Sequence, residues 1–177
     1  MRQLVLGLMV AAFLAACGGS DSEEDGSRRP APSSARAQGP GAGYVRRVDA
    51  LCKDARPELA EIRTAVTGAR DAARAGRAGL PETFKAFVTL LGRASVITER
   101  FQARLRAIEA PRGQAAFHGS LIDSVEAGRS NLREQEGAAR AEDARRLREL
   151  SVKGSVIEAE RRGLVTGHGG FRFCGRG

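Results

Sequence analysis

Residues 84–108 have the sequence FKAFVTLLGRASVITERFQARLRAI, and this stretch decides the fold. Its apolar and small side chains recur in steps that alternate between three and four residues, as on one face of an α-helix. The residues on this face are Phe84, Phe87, Leu91, Ala94, Thr98, Phe101, Leu105 and Ile108. The spacing predicts an amphipathic helix that ends at Ala110-Pro111 and packs against neighbouring helices at about 20°.

A preceding helix is predicted from Tyr44 onward, because the same alternation of three and four occurs there. The residues of its seam are Val45, Val48, Cys52, Ala55, Leu59, Ile62, Val66, Ala69 and Ala73. Pro57 lies within the seam and has no backbone N–H for the helical ladder, so a kink or a restart is expected there. Gly76 and Gly79, followed by Pro81, mark the predicted end of this helix.

Two further helices are predicted after Pro111, at about residues 112–140 and after a short break at 141–143. Their inward residues are Phe117, Leu121, Val125, Gly128 and Leu132 in the third helix, and Leu147, Leu150, Gly154, Ile157 and Leu164 in the fourth. Arg161 interrupts the fourth seam, and that helix should fray near Gly163–Gly167. Four helices joined by short connections predict an all-α fold for residues 44–177, an antiparallel up-down-up-down four-helix bundle.

The N-terminus has the pattern of an export signal. A basic residue, Arg2, precedes an apolar run from Leu4 to Leu14, which is long enough for a signal peptide and too short to span a bilayer. The run ends in Leu14-Ala15-Ala16-Cys17, which resembles the lipobox of bacterial lipoproteins. The resemblance implies that residues 1–16 are removed and that Cys17 carries a lipid on the extracytoplasmic face of the cell membrane. The alternative is an ordinary signal peptide with an incidental cysteine.

Residues 17–43 are predicted to be the lipidated cysteine and a disordered tether. The segment is rich in Gly, Ser, Pro and charged residues and shows no apolar periodicity. Such a composition buries too little surface to offset the entropy of ordering the chain. As a flexible coil, the 26 residues after Cys17 have an end-to-end distance of roughly 30 Å.

The remaining two cysteines, Cys52 and Cys174, form an even pair in an oxidising compartment. In the predicted bundle the start of the first helix lies near the end of the fourth, so the segment after the fourth helix can fold back and bring Cys174 to Cys52. We therefore predict a disulfide that ties down the C-terminal tail, with Phe171 and Phe173 capping the bundle beside it. Two free thiols are the alternative.

The helical region also resembles a loose group of small exported helical proteins from high-GC Gram-positive bacteria. The matching residues are Asp49-Ala50-Leu51-Cys52 and Phe173-Cys174-Gly175. The resemblance supports the architecture and the disulfide, and it implies no activity.

Few residues suggest chemistry, and no catalytic, cofactor-binding or metal-binding residues are predicted. His118 and His168 lie 50 residues apart and lack the spacing that places two ligands on one helix face. Glu158 and Glu160 alternate with arginines, a pattern typical of a solvated helix face. The chain is therefore predicted not to be an enzyme.

The formal net charge is +8, which raises the question of anionic partners. The basic runs at 145–148 and 161–162 lack interleaved aromatic residues, so nucleic-acid stacking is not supported. The favoured interpretation is a lipid-anchored protein-interaction or structural module of the cell envelope. The alternative is a carrier of a small hydrophobic or anionic ligand within the bundle. The sequence leaves the oligomeric state open.

Overall fold

The computed structural model describes residues 40–175 and consists of four α-helices with short connections. These are α1 (Pro40–Arg74), α2 (Leu80–Arg106), α3 (Ala115–Arg140) and α4 (Ala144–His168), with a 3₁₀ turn (Arg112–Gln114) before α3. Residues 40–175 contain no strand, so the all-α prediction is confirmed. The predicted signal peptide, Cys17 and tether residues 18–39 lie outside the described residues.

The helix boundaries differ from the prediction at several ends: α3 begins at Ala115 instead of about residue 112, and α4 continues to His168 without the predicted fraying near Gly163–Gly167. α1 begins at Pro40 instead of Tyr44, and a proline suits the first helical turn because its missing N–H would have no partner there. α2 ends at Arg106, four residues before Ala110. The predicted restart at Pro57 is wrong, since α1 runs through this residue without a break. Pro57 is exposed, and a helical hydrogen bond lost on the solvent side is the easiest to replace with water.

The helices pack in chain order, α1 on α2, α2 on α3 and α3 on α4. Their apolar faces form two core clusters. The first lies toward the α1–α2 and α3–α4 connections and is built mainly from Ile62, Val66, Phe84, Phe87, Leu91, Ile97, Leu132, Leu147 and Leu150. The second lies toward the other end and is built from Tyr44, Val48, Leu51, Leu105, Leu121, Val125, Val165 and Cys174.

The C-terminal tail joins α4 to α1. Gly169 and Gly170 have positive φ values of 75° and 81°, a conformation that glycine adopts without strain, and the chain turns there after α4. Cys174 then forms the predicted disulfide with Cys52, with the two Cα atoms 5.3 Å apart. Among residues 40–175, the backbones of α1 and α4 make few close contacts with each other, and the tail and the disulfide add to the side-chain packing of these helices in the two core clusters.

No helix within residues 40–175 has the length and apolar content needed to cross a bilayer.

Candidate functional site

A cavity of about 90 Å³ lies where the two core clusters meet. Side chains from all four helices and the tail line it. Its apolar wall includes Leu59, Ile97, Phe101, Leu121, Val125 and Val165. The Cys52–Cys174 disulfide and Phe173 close one side. The cavity therefore lies in the region where α1 and α4 are held together by the tail.

Four charged residues line the same cavity: Arg63 from α1, and Glu158, Arg161 and Arg162 from α4. Glu158 is only 1% exposed, and one of its carboxylate oxygens pairs with the Arg161 guanidinium. Its other oxygen, Oε1, is buried and has no hydrogen-bond partner among residues 40–175. The Nε and Nη2 atoms of Arg63 are likewise buried, and no described residue accepts a hydrogen bond from them.

Burial raises the pKa of the Glu158 carboxyl group above its usual range. The nearby guanidinium groups of Arg161, Arg162 and Arg63 oppose this shift because they favour the charged carboxylate. The desolvation effect is the larger of the two. The cavity thus combines an apolar wall with a charged end in which three guanidinium groups outnumber one carboxylate.

The burial of Glu158 corrects the sequence prediction, which placed this residue on a solvated face. The inward seam of α4 passes through Gly154, Glu158 and Val165, which are all buried, whereas Ile157 and Leu164 are only half-buried. A step of four from Gly154 leads to Glu158, and steps of three and four then lead to Arg161 and Val165. This spacing indicates that Glu158 and Arg161 face inward. Their charges indicate the opposite, which is why the burial of Glu158 was not predicted.

Asp49 fastens the tail beside the cavity. Its Oδ1 accepts hydrogen bonds from the backbone N–H groups of Phe173 (2.7 Å), Cys174 (3.0 Å) and Arg172 (3.1 Å). A carboxylate that gathers successive N–H groups fixes a turn that lacks secondary structure of its own. Asp49 belongs to the Asp49-Ala50-Leu51-Cys52 stretch that carries the resemblance, and no role was predicted for it.

The two histidines lie together at the α1 N-terminal end. Tyr44 Oη and His118 Nδ1 share a hydrogen bond of 2.9 Å, and burial lowers the pKa of His118. The His168 ring lies with its centroid 4.0 Å from that of Phe117, and Phe171 stacks on Phe117 at 5.7 Å. The cluster confirms that Phe171 caps the bundle, whereas Phe173 lies in the cavity wall.

Of the predicted site residues, Cys52 and Cys174 are brought together as a disulfide, and Cys17 lies outside the described residues. Residues 40–175 contain no group of three or more His, Cys, Asp or Glu side chains arranged to hold a metal ion. Comparisons with known proteins find no matching family model, no matching curated protein and no matching solved structure.

Proposed function

We propose that this chain is a lipid-anchored extracytoplasmic binding protein whose helical domain takes up a small ligand in the cavity beside the Cys52–Cys174 disulfide. One observation carries the proposal: the apolar cavity is lined by buried charged groups that find no hydrogen-bond partner within residues 40–175, namely Glu158 Oε1 and the Nε and Nη2 atoms of Arg63.

Buried polar groups without partners are costly in a folded protein. Each unsatisfied group costs about 1–3 kcal/mol, and more when the group is charged. A ligand that supplies the missing partners would recover part of this free energy on binding. The cavity volume sets an upper limit on the enclosed ligand, because an engineered cavity of roughly 150 Å³ in another protein accommodates benzene and this cavity, at about 90 Å³, is smaller.

The anchor in this proposal rests on the N-terminal sequence. Small residues before Cys17 and an apolar run of signal-peptide length support lipidation, and two or more acyl chains give stable membrane attachment. The tether would hold the domain near the membrane surface while leaving the cavity open to solutes there. We propose a binding role instead of catalysis because the charged end of the cavity consists of guanidinium groups and one paired carboxylate, which favour holding a charged ligand.

We also propose the antiparallel up-down-up-down arrangement for the bundle. Ion pairs support opposite directions for α1 and α2, since Arg104 pairs with Asp54 while Arg93 pairs with Glu61. The tail and the Tyr44–His118 hydrogen bond bring the end of α4 and the start of α3 to the start of α1. These contacts are the ones that alternating helix directions require.

Mass spectrometry of the full chain exported by its native host tests both parts of the proposal. The denatured mass should equal residues 17–177 plus a lipid, and a Cys17→Ser variant should lack the lipid mass. The native mass, measured after release from mild detergent, should exceed the denatured mass by a reproducible small-molecule increment. A lipid that persists in the Cys17→Ser variant would overturn the anchor, and a bare native mass would overturn ligand binding.

A cavity-filling variant provides the matched control. Ala55 lines the cavity, so Ala55→Phe should abolish the noncovalent increment. Ala50 lies on the exposed side of the same helix, so Ala50→Phe should retain the increment. Circular dichroism and cooperative unfolding confirm that both variants are folded.

A protein-interaction module of the cell envelope is the second candidate function. Val152 and Val156 lie one helical turn apart on α4 and are 46% and 53% exposed, which gives a partner an apolar contact on this surface. A bare native mass, together with a cross-link to one envelope protein that is lost in the Val152→Ser/Val156→Ser variant, would favour this candidate.

A further inference from the structure

We infer that the cavity selects a short amphiphilic monoanion, with the anionic group held by Arg63 and the apolar chain packed along Phe101, Leu121 and Val165. The inference rests on the proposed ligand-binding function and adds the chemical class of the ligand.

The unpartnered atoms of Arg63 define the first requirement. Nε and Nη2 lie on the same edge of the guanidinium plane, and their two N–H groups form the fork that binds both oxygens of a carboxylate or phosphate. Both atoms are buried, and Arg63 lines the cavity. An acceptor with two oxygens would satisfy both donors at once, whereas an alcohol offers only one oxygen.

The charges around Arg63 define the second requirement. Arg161 and Arg162 also line the cavity, and the only carboxylate among the lining residues is Glu158. One oxygen of Glu158 is already paired with Arg161, and Arg63 attracts the carboxylate at longer range without a hydrogen bond from its Nε or Nη2 to any described residue. A cationic ligand would meet three guanidinium groups, so the local field favours an anion.

The remaining oxygen of Glu158 is compatible with an anion. Burial raises the pKa of this carboxyl group, and Arg63, Arg161 and Arg162 are the charged groups that act on it from α1 and α4. When Oε1 carries a proton, it becomes a donor to the ligand anion instead of an opposing charge.

The apolar wall and the cavity volume limit the rest of the ligand. A volume of about 90 Å³ is smaller than the roughly 150 Å³ of a cavity that holds benzene, so the enclosed part of the ligand has fewer carbon atoms than benzene, about three to five. A longer chain would have to extend out of the cavity. Butanoate is therefore a suitable probe, and butan-1-ol and butylammonium are its neutral and cationic counterparts.

Isothermal titration of the oxidised full chain bearing Cys17→Ser tests the inference. We expect butanoate to bind with a Kd at least about tenfold lower than that of butan-1-ol and to be preferred over butylammonium. Arg63→Gln should raise the Kd of butanoate by about tenfold or more and leave that of butan-1-ol unchanged. Arg100→Gln, at an exposed arginine on α2 that pairs with Glu58, should alter neither value.

The outcomes separate the anionic class of the ligand from the ligand-binding function itself. Equal binding of butanoate and butan-1-ol, or a preference for butylammonium, overturns the anionic class and leaves the ligand-binding function standing. If none of the probes binds while the exported chain carries a small-molecule mass, the inference fails and the proposed function survives. A bare native mass overturns the function itself. If Arg63→Gln does not fold, the comparison of the three probes on the parent chain remains decisive.

Discussion

At the scale of single residues, the Asp49 carboxylate connects the end of the chain to the first helix. It accepts backbone hydrogen bonds from three successive residues, Arg172 to Cys174, and Asp49 itself is 9% exposed. Hydrogen bonds to a charged acceptor contribute more than neutral ones, and the tail has no helical ladder to replace them.

Replacing Asp49 with Ala should lower the free energy of unfolding by about 2–3 kcal/mol, because the tail N–H groups lose a charged acceptor. Asp54→Ala is the matched control, since Asp54 is exposed and pairs with exposed Arg104. Loss of the Asp54 carboxylate should lower the free energy of unfolding by at most about 1 kcal/mol. Denaturant unfolding of the oxidised full chains measures both values. Equal effects would show that Asp49 does not anchor the tail.

Glu158 should make stability depend on pH. Its pKa is raised in the folded chain, so the folded state binds the proton more tightly than the unfolded state does. The stabilisation from this group is complete below the ordinary glutamate pKa of about 4.3 and is lost as the pH rises through the folded pKa.

Glu158→Gln should therefore gain stability relative to the parent as the pH rises above about 4.3, whereas Glu160→Gln should follow the parent. Glu160 is exposed on the same helix. Urea unfolding across a pH series measures the difference. A parent-to-variant difference that stays constant with pH would contradict the buried, proton-binding state of Glu158.

Sequence-based prediction failed at the charged residues on the inward seam of α4. The spacing of α4 was regular enough to place Glu158 and Arg161 on the inward seam, but a charged side chain on a seam is ordinarily excluded from the core. Burial in this chain is tolerated because Arg161 pairs with Glu158 and the cavity adjoins both residues. Glu158, the candidate functional residue, is thus an exception to the rule that charged side chains stay outside the core, by which the rest of α4 was predicted.

At the scale of elements, the disulfide adds a covalent link to the side-chain packing between α1 and α4. Direct backbone contact between these helices is sparse within residues 40–175, while Cys52 and Cys174 join across a separation of 122 residues. Closing so long a loop restricts the unfolded chain and can stabilise the fold by at most about 5 kcal/mol.

The Cys52→Ala/Cys174→Ala variant should unfold at a lower denaturant concentration than the oxidised parent. The expected loss is a few kcal/mol and no more than about 5 kcal/mol. Reductant should shift the unfolding midpoint of the parent toward that of the variant and leave the midpoint of the variant unchanged. The unreduced parent should weigh two hydrogens less than its reduced form. A parent midpoint that is insensitive to reductant would contradict this role.

Helix boundaries also belong to this scale. The four predicted helices are all present, because alternating steps of three and four over several turns are hard to obtain by chance. The restart at Pro57 was wrong, since burial of the α1 face on both sides of an exposed proline outweighs the loss of one backbone hydrogen bond.

At the scale of the whole molecule, the all-α class and the disulfide were predictable from the sequence, whereas the cavity was not. Periodicity identifies which residues face inward, and Leu59, Phe101 and Leu121 were all placed correctly. Whether inward residues fill the space between helices depends on the distance between α1 and α4, which no local pattern encodes.

The central claim is that a short monoanion such as butanoate occupies this cavity. Isotope-filtered nuclear Overhauser effects between butanoate and the methyl groups of the oxidised Cys17→Ser full chain test it most directly. We predict cross-peaks to the methyl groups of Leu121, Val125 and Val165, with their loss in Ala55→Phe. Cross-peaks confined to the exposed residues Val96, Val152 and Val156, or no cross-peaks at saturating butanoate, would contradict the account.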